Sequence, residues 1–283
     1  MGVHTGKFGV VNGQTGVAEW SISDNQSLVT AINSATANGT ARRAGVEEWS
    51  GSFKAHGGHP LLLPGDQFNF AGYVAPDNDT LSGVGQRYTG VAIVNQWALT
   101  INWSTNELLS QQVDFGGHLA LTVQEAQAAY SDSGVPRLLS PAFAKIEYST
   151  DGTTWAVWNE LESATLTITN AVQTYVNSST LTGGRLWTGR KPGATDWNLS
   201  VVEQSNARDK WVKGTQLQLR VYINATEFFL LKWGVVKEFT GLQVSRESQA
   251  ILKQTVNFEM NGSDVTTGAL GQIVKPDLTA YWP

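Results

Sequence analysis

One stretch of the chain is written twice. Arg42-Arg43-Ala44-Gly45-Val46-Glu47-Glu48-Trp49-Ser50-Gly51-Ser52-Phe53 aligns without a gap on Arg190-Lys191-Pro192-Gly193-Ala194-Thr195-Asp196-Trp197-Asn198-Leu199-Ser200-Val201. Each copy has a basic pair, a glycine, an acid, a tryptophan and then alternating residues that read as a strand. The offset is 148 at the basic pair and again at the tryptophan. Solenoid repeats run to roughly 20–50 residues, so this period implies two copies of one domain. With 283 residues, each copy is large enough for a core of its own.

Weaker echoes extend the duplication. Phe8-Gly9-Val10-Val11-Asn12-Gly13-Gln14-Thr15 carries the strongest short hairpin signal, since Asn-Gly supplies the positive φ of a tight turn. Its counterpart is Ile146–Trp155, with Asp151-Gly152 at the turn. Ala18–Ser23 is echoed by Ala164–Thr169 at an offset of 146, and both alternate with period two as half-buried strands do. Val29–Thr36 matches Gln173–Thr180, where β-branched and aromatic residues favour strand over helix. The second copy is longer around Gly183–Trp187. Strands resume at Gln67–Tyr73 and Gln216–Tyr222, and a polar loop, Pro76–Gly85, is inserted after the first of these. Ala98–Trp103 and Leu109–Phe115 correspond, at an offset of 143, to Gly241–Arg246 and Leu252–Phe258. Each pair reads as a strand, a polar turn and a strand.

Two short helices are expected besides, at Ser205–Thr215 from its polar cap and Gly stop, and at Val123–Tyr130. Ser131–Pro141 reads as a linker rich in Ser, Gly and Pro. The expected organisation is a first β domain over residues 1–120, a linker over 121–143, a second β domain over 144–262 and a C-terminal arm over 263–283.

Composition supports a β-rich globular protein: 15% charged residues, 41% hydrophobic residues and 29 glycines. Charge this low predicts a surface largely covered by neighbours. The absence of cysteine removes disulfide and thiolate chemistry. Residues 1–20 have no apolar run after a basic start, and no window approaches the ~20 apolar residues of a membrane span. The expectation is a soluble chain made in a cytoplasm, with no membrane partner. The net charge of −5 falls on residues 1–140, with 6 Lys and Arg against 11 Asp and Glu, while the remainder balances at 13 against 13. An acidic half argues against ordinary phosphate-backbone binding.

No catalytic constellation emerges. His56 and His59 lie in a Gly-rich loop without a carboxylate or thiolate at ligand spacing. Asp77-Asn78-Asp79 begins like a calcium loop, but no bidentate Glu closes it. Gly83-Val84-Gly85 lacks the third glycine and the helix of a nucleotide fingerprint. Glu47 and Glu48 are adjacent on a strand start, so their side chains diverge. No enzyme, cofactor or metal is expected. Trp49 and Trp197 are equivalent and read as structural. Trp187, Trp211, Trp233 and Trp282 lack equivalents and are candidates for contacts between subunits. The basic pairs Arg42-Arg43 and Arg190-Lys191 are candidates for salt bridges across an interface. The loop Pro76–Arg87, with Asp77, Asp79 and Arg87, and the insertion Gly183–Gly189 differ in length between the copies, which makes them candidates for contacts with further copies of the chain.

The duplicated unit, with its hairpin start, Asn-Ser-x-Thr segment, basic-Gly-acid-Trp strand start and final hairpin, resembles the major tail tube proteins of long-tailed bacteriophages. The resemblance runs from about Phe8 to Phe115 and from Ile146 to Phe258. It implies an all-β fold with one or two short helices: two tandem β-sandwich domains whose sheets join into a ring barrel on oligomerisation. Six such domains would make a ring, hence a homotrimer with pseudo-sixfold symmetry. Stacked rings would form a virion tail tube, assembled in the host cytoplasm. Its implied partners are further copies of the chain, a tape-measure protein, terminator and baseplate proteins, and double-stranded DNA passing without specific binding. Two other classes fit the same residues: a carbohydrate-binding or adhesin module, and another tail ring such as a terminator or baseplate component.

Overall fold

Strict alternation along the chain becomes strict alternation of burial. From Ser163 to Asn170 every second side chain is buried, and Trp197, Leu199, Val201 and Glu203 repeat the pattern. This is the signature of strands with one covered face. The computed structural model describes residues 5–11, 17–31, 41–56, 62–75, 84–105, 107–128, 139–205, 207, 210–225, 227–243 and 252–261. It is all-β.

The first half contributes β1 (Thr5–Val11), β2 (Val17–Ala31), β3 (Ala41–His56), β4 (Gln67–Ala75), β5 (Val84–Asn102) and β6 (Ser110–Ala128). The second contributes β7 (Ile146–Ser149), β8 (Ala156–Trp158), β9 (Leu161–Asn170), β10 (Gln173–Tyr175), β11 (Leu181–Thr182), β12 (Arg185–Leu186), β13 (Gly189–Lys191), β14 (Thr195–Glu203), β15 (Gln216–Tyr222), β16 (Phe228–Gln243) and β17 (Lys253–Met260). Thirteen of these form one sheet, ordered β2-β3-β6-β5-β9-β14-β17-β16-β15-β7-β8, with β4 also on β5 and β1 on β4. Its strand pairs are antiparallel. Two small ribbons, β10–β13 and β11–β12, complete the described strands.

The pairing order is written twice, like the sequence. The first half runs β2-β3-β6-β5-β4-β1, and the second β9-β14-β17-β16-β15-β7. Irregularities recur as well. Val94 pairs Phe115 and Gln96 pairs Asp114, leaving Asn95 as a bulge. In the second half Val236 pairs Phe258 and Glu238 pairs Asn257, leaving Lys237. Beside each bulge a tight loop is clamped in the same way. The Gly65 N–H donates to the Val94 carbonyl at 2.8 Å and the Gly214 N–H to the Val236 carbonyl at 2.9 Å. Both glycines take positive φ, which a side chain would resist.

Three sequence expectations need correction. Val123–Tyr130 does not form a helix as far as it is described. β6 continues to Ala128, past the expected domain boundary, because β5 offers it an unbroken partner from Val84 to Thr100. Over Ser205–Thr215 the described residues show two short turns, one with the Lys210 and Trp211 N–H groups on the Ala207 carbonyl and one with the Thr215 N–H on the Val212 carbonyl. The strands flanking Asn12-Gly13 do not pair with each other, since β1 pairs β4 and β2 pairs β3; the turn itself lies outside the described residues. The second hairpin does form, β7 with β8. At its loop the Asp151 carboxylate accepts from the Thr153 and Thr154 N–H groups and the Ser149 hydroxyl, which holds its pKa far below the ordinary carboxylate range.

The apolar side chains form one core across both halves. Trp49, Phe70 and Phe115 cluster in the first, and Trp158, Trp211 and Phe258 in the second. Between them Trp97 meets Phe229 with ring centroids 5.2 Å apart.

Candidate assembly interface

β5 holds the two halves together because one of its edges serves two partners. β6 pairs along one edge. On the other, β4 pairs from Val74↔Gln86 to Gln67↔Ile93. After the Asn95 bulge that edge is taken by β9, from Gln96↔Thr169 to Asn102↔Ser163. Trp97, Leu99 and Ile101 of β5 and Ile168, Leu166 and Ala164 of β9 are all buried there. The Trp97 Nε1–H donates to Gln111 Oε1 at 2.9 Å, so burying the indole leaves no donor unpaired.

A second contact lies across the first. The β10–β13 ribbon and the segment before it reach over β3 and β6. The Thr188 N–H donates to the Glu47 carbonyl and the Leu119 N–H to the Thr188 carbonyl, at 2.9 and 3.1 Å. The Arg190 N–H donates to His118 Nδ1, and its Nε–H to the Gly117 carbonyl, both at 3.0 Å. Its guanidinium lies 3.7 Å from the Glu48 carboxylate. A Cβ on Gly116 would stand 2.5 Å from that guanidinium, and one on Gly117 would stand 2.1 Å from the Trp49 indole. Gly116 thus leaves room for the Arg190 guanidinium in the crossing, and Gly117 leaves room for the Trp49 indole in the core beneath it. Glu47 is buried, accepting from Arg185 at 2.9 Å and from the Gln26 amide at 2.6 Å.

The β16 edge equivalent to the β5–β9 junction is open. β15 pairs β16 only as far as Gln216↔Val235, and beyond Lys237 no described strand occupies that edge through Gln243. The outer edge of β2 is likewise unpaired among the described residues. The pairing with β3 and β14 gives the correspondence between β2 and β9. Ile22 faces Gly51 while Leu166 faces Leu199, and the bulges fall at Ala18 and Glu162. The offset is therefore 144, which corrects the 146 read from the sequence. On this register Asp24 stands where Ile168 stands. Burial, with the Glu47 charge adding to it and Arg185 opposing, pushes its carboxyl above the ordinary value.

The other candidate residues fall in several places. Trp187 is 6% exposed, packed in the crossing between the halves, and Trp211 is 5% exposed among Tyr148, Trp158 and Phe258. Both correct the expectation of contacts between subunits, because rings so buried within their own chain have no face to offer. Trp233 is half-buried in β16. Arg190 and the Gly183–Gly189 insertion belong to the same crossing, Lys191 is exposed beside the Tyr175 ring, and Arg42 is exposed on β3. For Arg43 only the backbone, opposite Val29, is described. Arg87 is not in a loop; it is half-buried in β5 opposite Tyr73 and Gln124. Asp77, Asp79, His59 and Trp282 lie outside the described residues. Sequence alone singles out neither His118 nor the Gly116-Gly117 pair, although two glycines inside an apolar strand mark close backbone approach.

No three His, Cys, Asp or Glu side chains gather as metal ligands among the described residues. Nor is any described helix long and apolar enough to cross a membrane. No protein-family model matches the chain, and no curated protein matches it.

Proposed function

We propose that the chain is a structural protein that polymerises through its sheet edges into rings, stacked as the tail tube of a long-tailed bacteriophage. The observation that carries this reading is the open β16 edge. Its inner part repeats the bulge and loop clamp of β5, and β9, the strand that fills the β5 edge, has its counterpart in β2, whose outer edge is unpaired among the described residues. Chain ends that repeat an internal junction favour head-to-tail association. Such heterologous contacts close into rings when the rotation allows and otherwise run on as filaments. Two repeats per chain suit a trimer of six repeats. Each closure removes two strand edges that would otherwise invite uncontrolled pairing.

Low charge suits a chain covered by copies of itself, and an acidic balance suits a lumen through which DNA slides. The tape-measure, terminator and baseplate partners follow from the same resemblance. A glycan-binding module would present open aromatic faces, but no described tryptophan is exposed, and Arg220 covers the Trp155 ring at 3.7 Å.

Size-exclusion chromatography with light scattering, joined to negative-stain electron microscopy, tests the reading. Hollow rings or tubes with threefold or sixfold averages are the expected outcome. A compact monomer at every concentration overturns it.

A further inference from the structure

In the second half, β9 leads into the β10–β13 ribbon, in which Thr174 pairs Arg190 and Gln173 pairs Lys191. In the first half, β2 runs on into an equivalent ribbon, in which Thr30 pairs Arg42 and Val29 pairs Arg43. The offsets of 144 for β2 and 148 for β3 bring these pairs into register. Arg42 is thus the counterpart of Arg190, and Asp196 the counterpart of Glu48.

The second-half ribbon is docked on the first half through Arg190 and Glu48. Among the described residues nothing covers the outer part of the first-half ribbon. Leu28 and Val29 are 58% and 60% exposed, and the Arg42 side chain is exposed. Asp196 is exposed too, on a β14–β17 face that carries no ribbon among the described residues. Charge is preserved at both counterparts, a cation on the ribbon and an acid on the face. Glu259 stands where Gly116 stands and Lys237 where Asn95 stands, and the two pair with each other, so the receiving face gains an ion pair and no net charge.

We propose that the ribbon of Leu28–Ala31 and Ala41–Ala44 docks on the β14–β17 face of the next copy of this chain, with the Arg42 guanidinium beside the Asp196 carboxylate. This rests on the head-to-tail reading above and adds a specific clasp to it. The β16–β2 junction then supplies backbone pairing, while the ribbon fixes which copy follows and at what angle. The same division operates inside the chain, where β5–β9 supplies the ladder and Arg190 the clasp. Like charges brought face to face at such a contact weaken association by several kcal/mol in typical cases, and opposite ones steer it.

The test is a charge exchange in the full chain. Arg42→Glu alone and Asp196→Arg alone are expected to raise the concentration needed for assembly at least about tenfold. The double variant is expected to recover to within about threefold of the parent, and Arg42→Lys to assemble as the parent does. Both residues are exposed, so melting temperatures of the unassembled chains should match and separate assembly from folding. Normal assembly by Arg42→Glu, or a double variant no better than the worse single, overturns the clasp while leaving the ring reading standing. A parent chain that stays monomeric at every concentration removes the ring reading and the clasp together.

Discussion

The β5–β9 junction and the open β16 edge are two versions of one structural device. At the first, Trp97 and Ile168 face each other in a sealed core, and a ribbon crosses over β3 and β6 with the Arg190 guanidinium on Gly116. At the second, Phe239 and Asp24 hold the corresponding positions on separate open edges, Phe239 half-buried and Asp24 exposed. The face that would receive the ribbon carries Glu259 and Met260 in place of Gly116 and Gly117. The permanent contact has been optimised for packing, and the open one has kept polar and charged groups. A surface that must remain in water before assembly cannot carry a bare apolar ladder without inviting wrong partners. Under the proposed head-to-tail assembly, the difference separates a contact made once during folding from one made between finished chains.

Truncating the two aromatic residues gives the sharpest contrast. Trp97→Ala is expected to cost about 3–5 kcal/mol in the unassembled chain, read from denaturant unfolding, because a fully buried indole leaves a cavity and its hydrogen bond to Gln111 is lost. Phe239→Ala, at a half-buried position, is expected to cost less than half as much. Equal losses would break the comparison.

Gly117→Ala should follow in size. Its Cβ would meet the Trp49 indole at 2.1 Å, with core neighbours on all sides. A loss of about 1–3 kcal/mol is expected, with the Trp49 fluorescence shifting as the ring is displaced. An unchanged midpoint and spectrum would show that the Trp49 packing does not depend on glycine there.

Asp24→Asn should produce the smallest effect. A carboxyl with a raised folded pKa penalises the folded state when ionised. The penalty is present at neutral pH and fades as pH falls through the raised folded value towards the ordinary 3.8. The variant's melting temperature is therefore expected to exceed the parent's slightly at pH 7, with the gap closing in acid. A gap that widened in acid would reverse the sign argued for this edge.

The duplication was legible because a basic pair, a glycine, an acid and a tryptophan in one order are rarely matched by chance. Trp49 and Trp197, matched in the two copies, are both almost fully buried. The alternating segments gave their faces correctly and their register wrongly. Ala18–Ser23 was laid on Ala164–Thr169 two residues out of step, since a shift of two leaves every side chain on the same face. Hydrogen bonding to β3 and β14 removed that degeneracy. The helix expected at Val123–Tyr130 failed because β6 pairs β5 there, and local preference yields to a partner strand.

The sequence by itself determined that the chain is β-rich, internally doubled, free of cysteine chemistry and low in charge. Those properties reside in composition and local pattern, which need no partner to be read. Only the tertiary structure decided that β5 would carry both β4 and β9, that Arg190 would settle on Gly117 and His118, and that Trp187 and Trp211 would turn inward. Each of these joins residues far apart in the chain, and such contacts depend on which surfaces remain once the strands have paired.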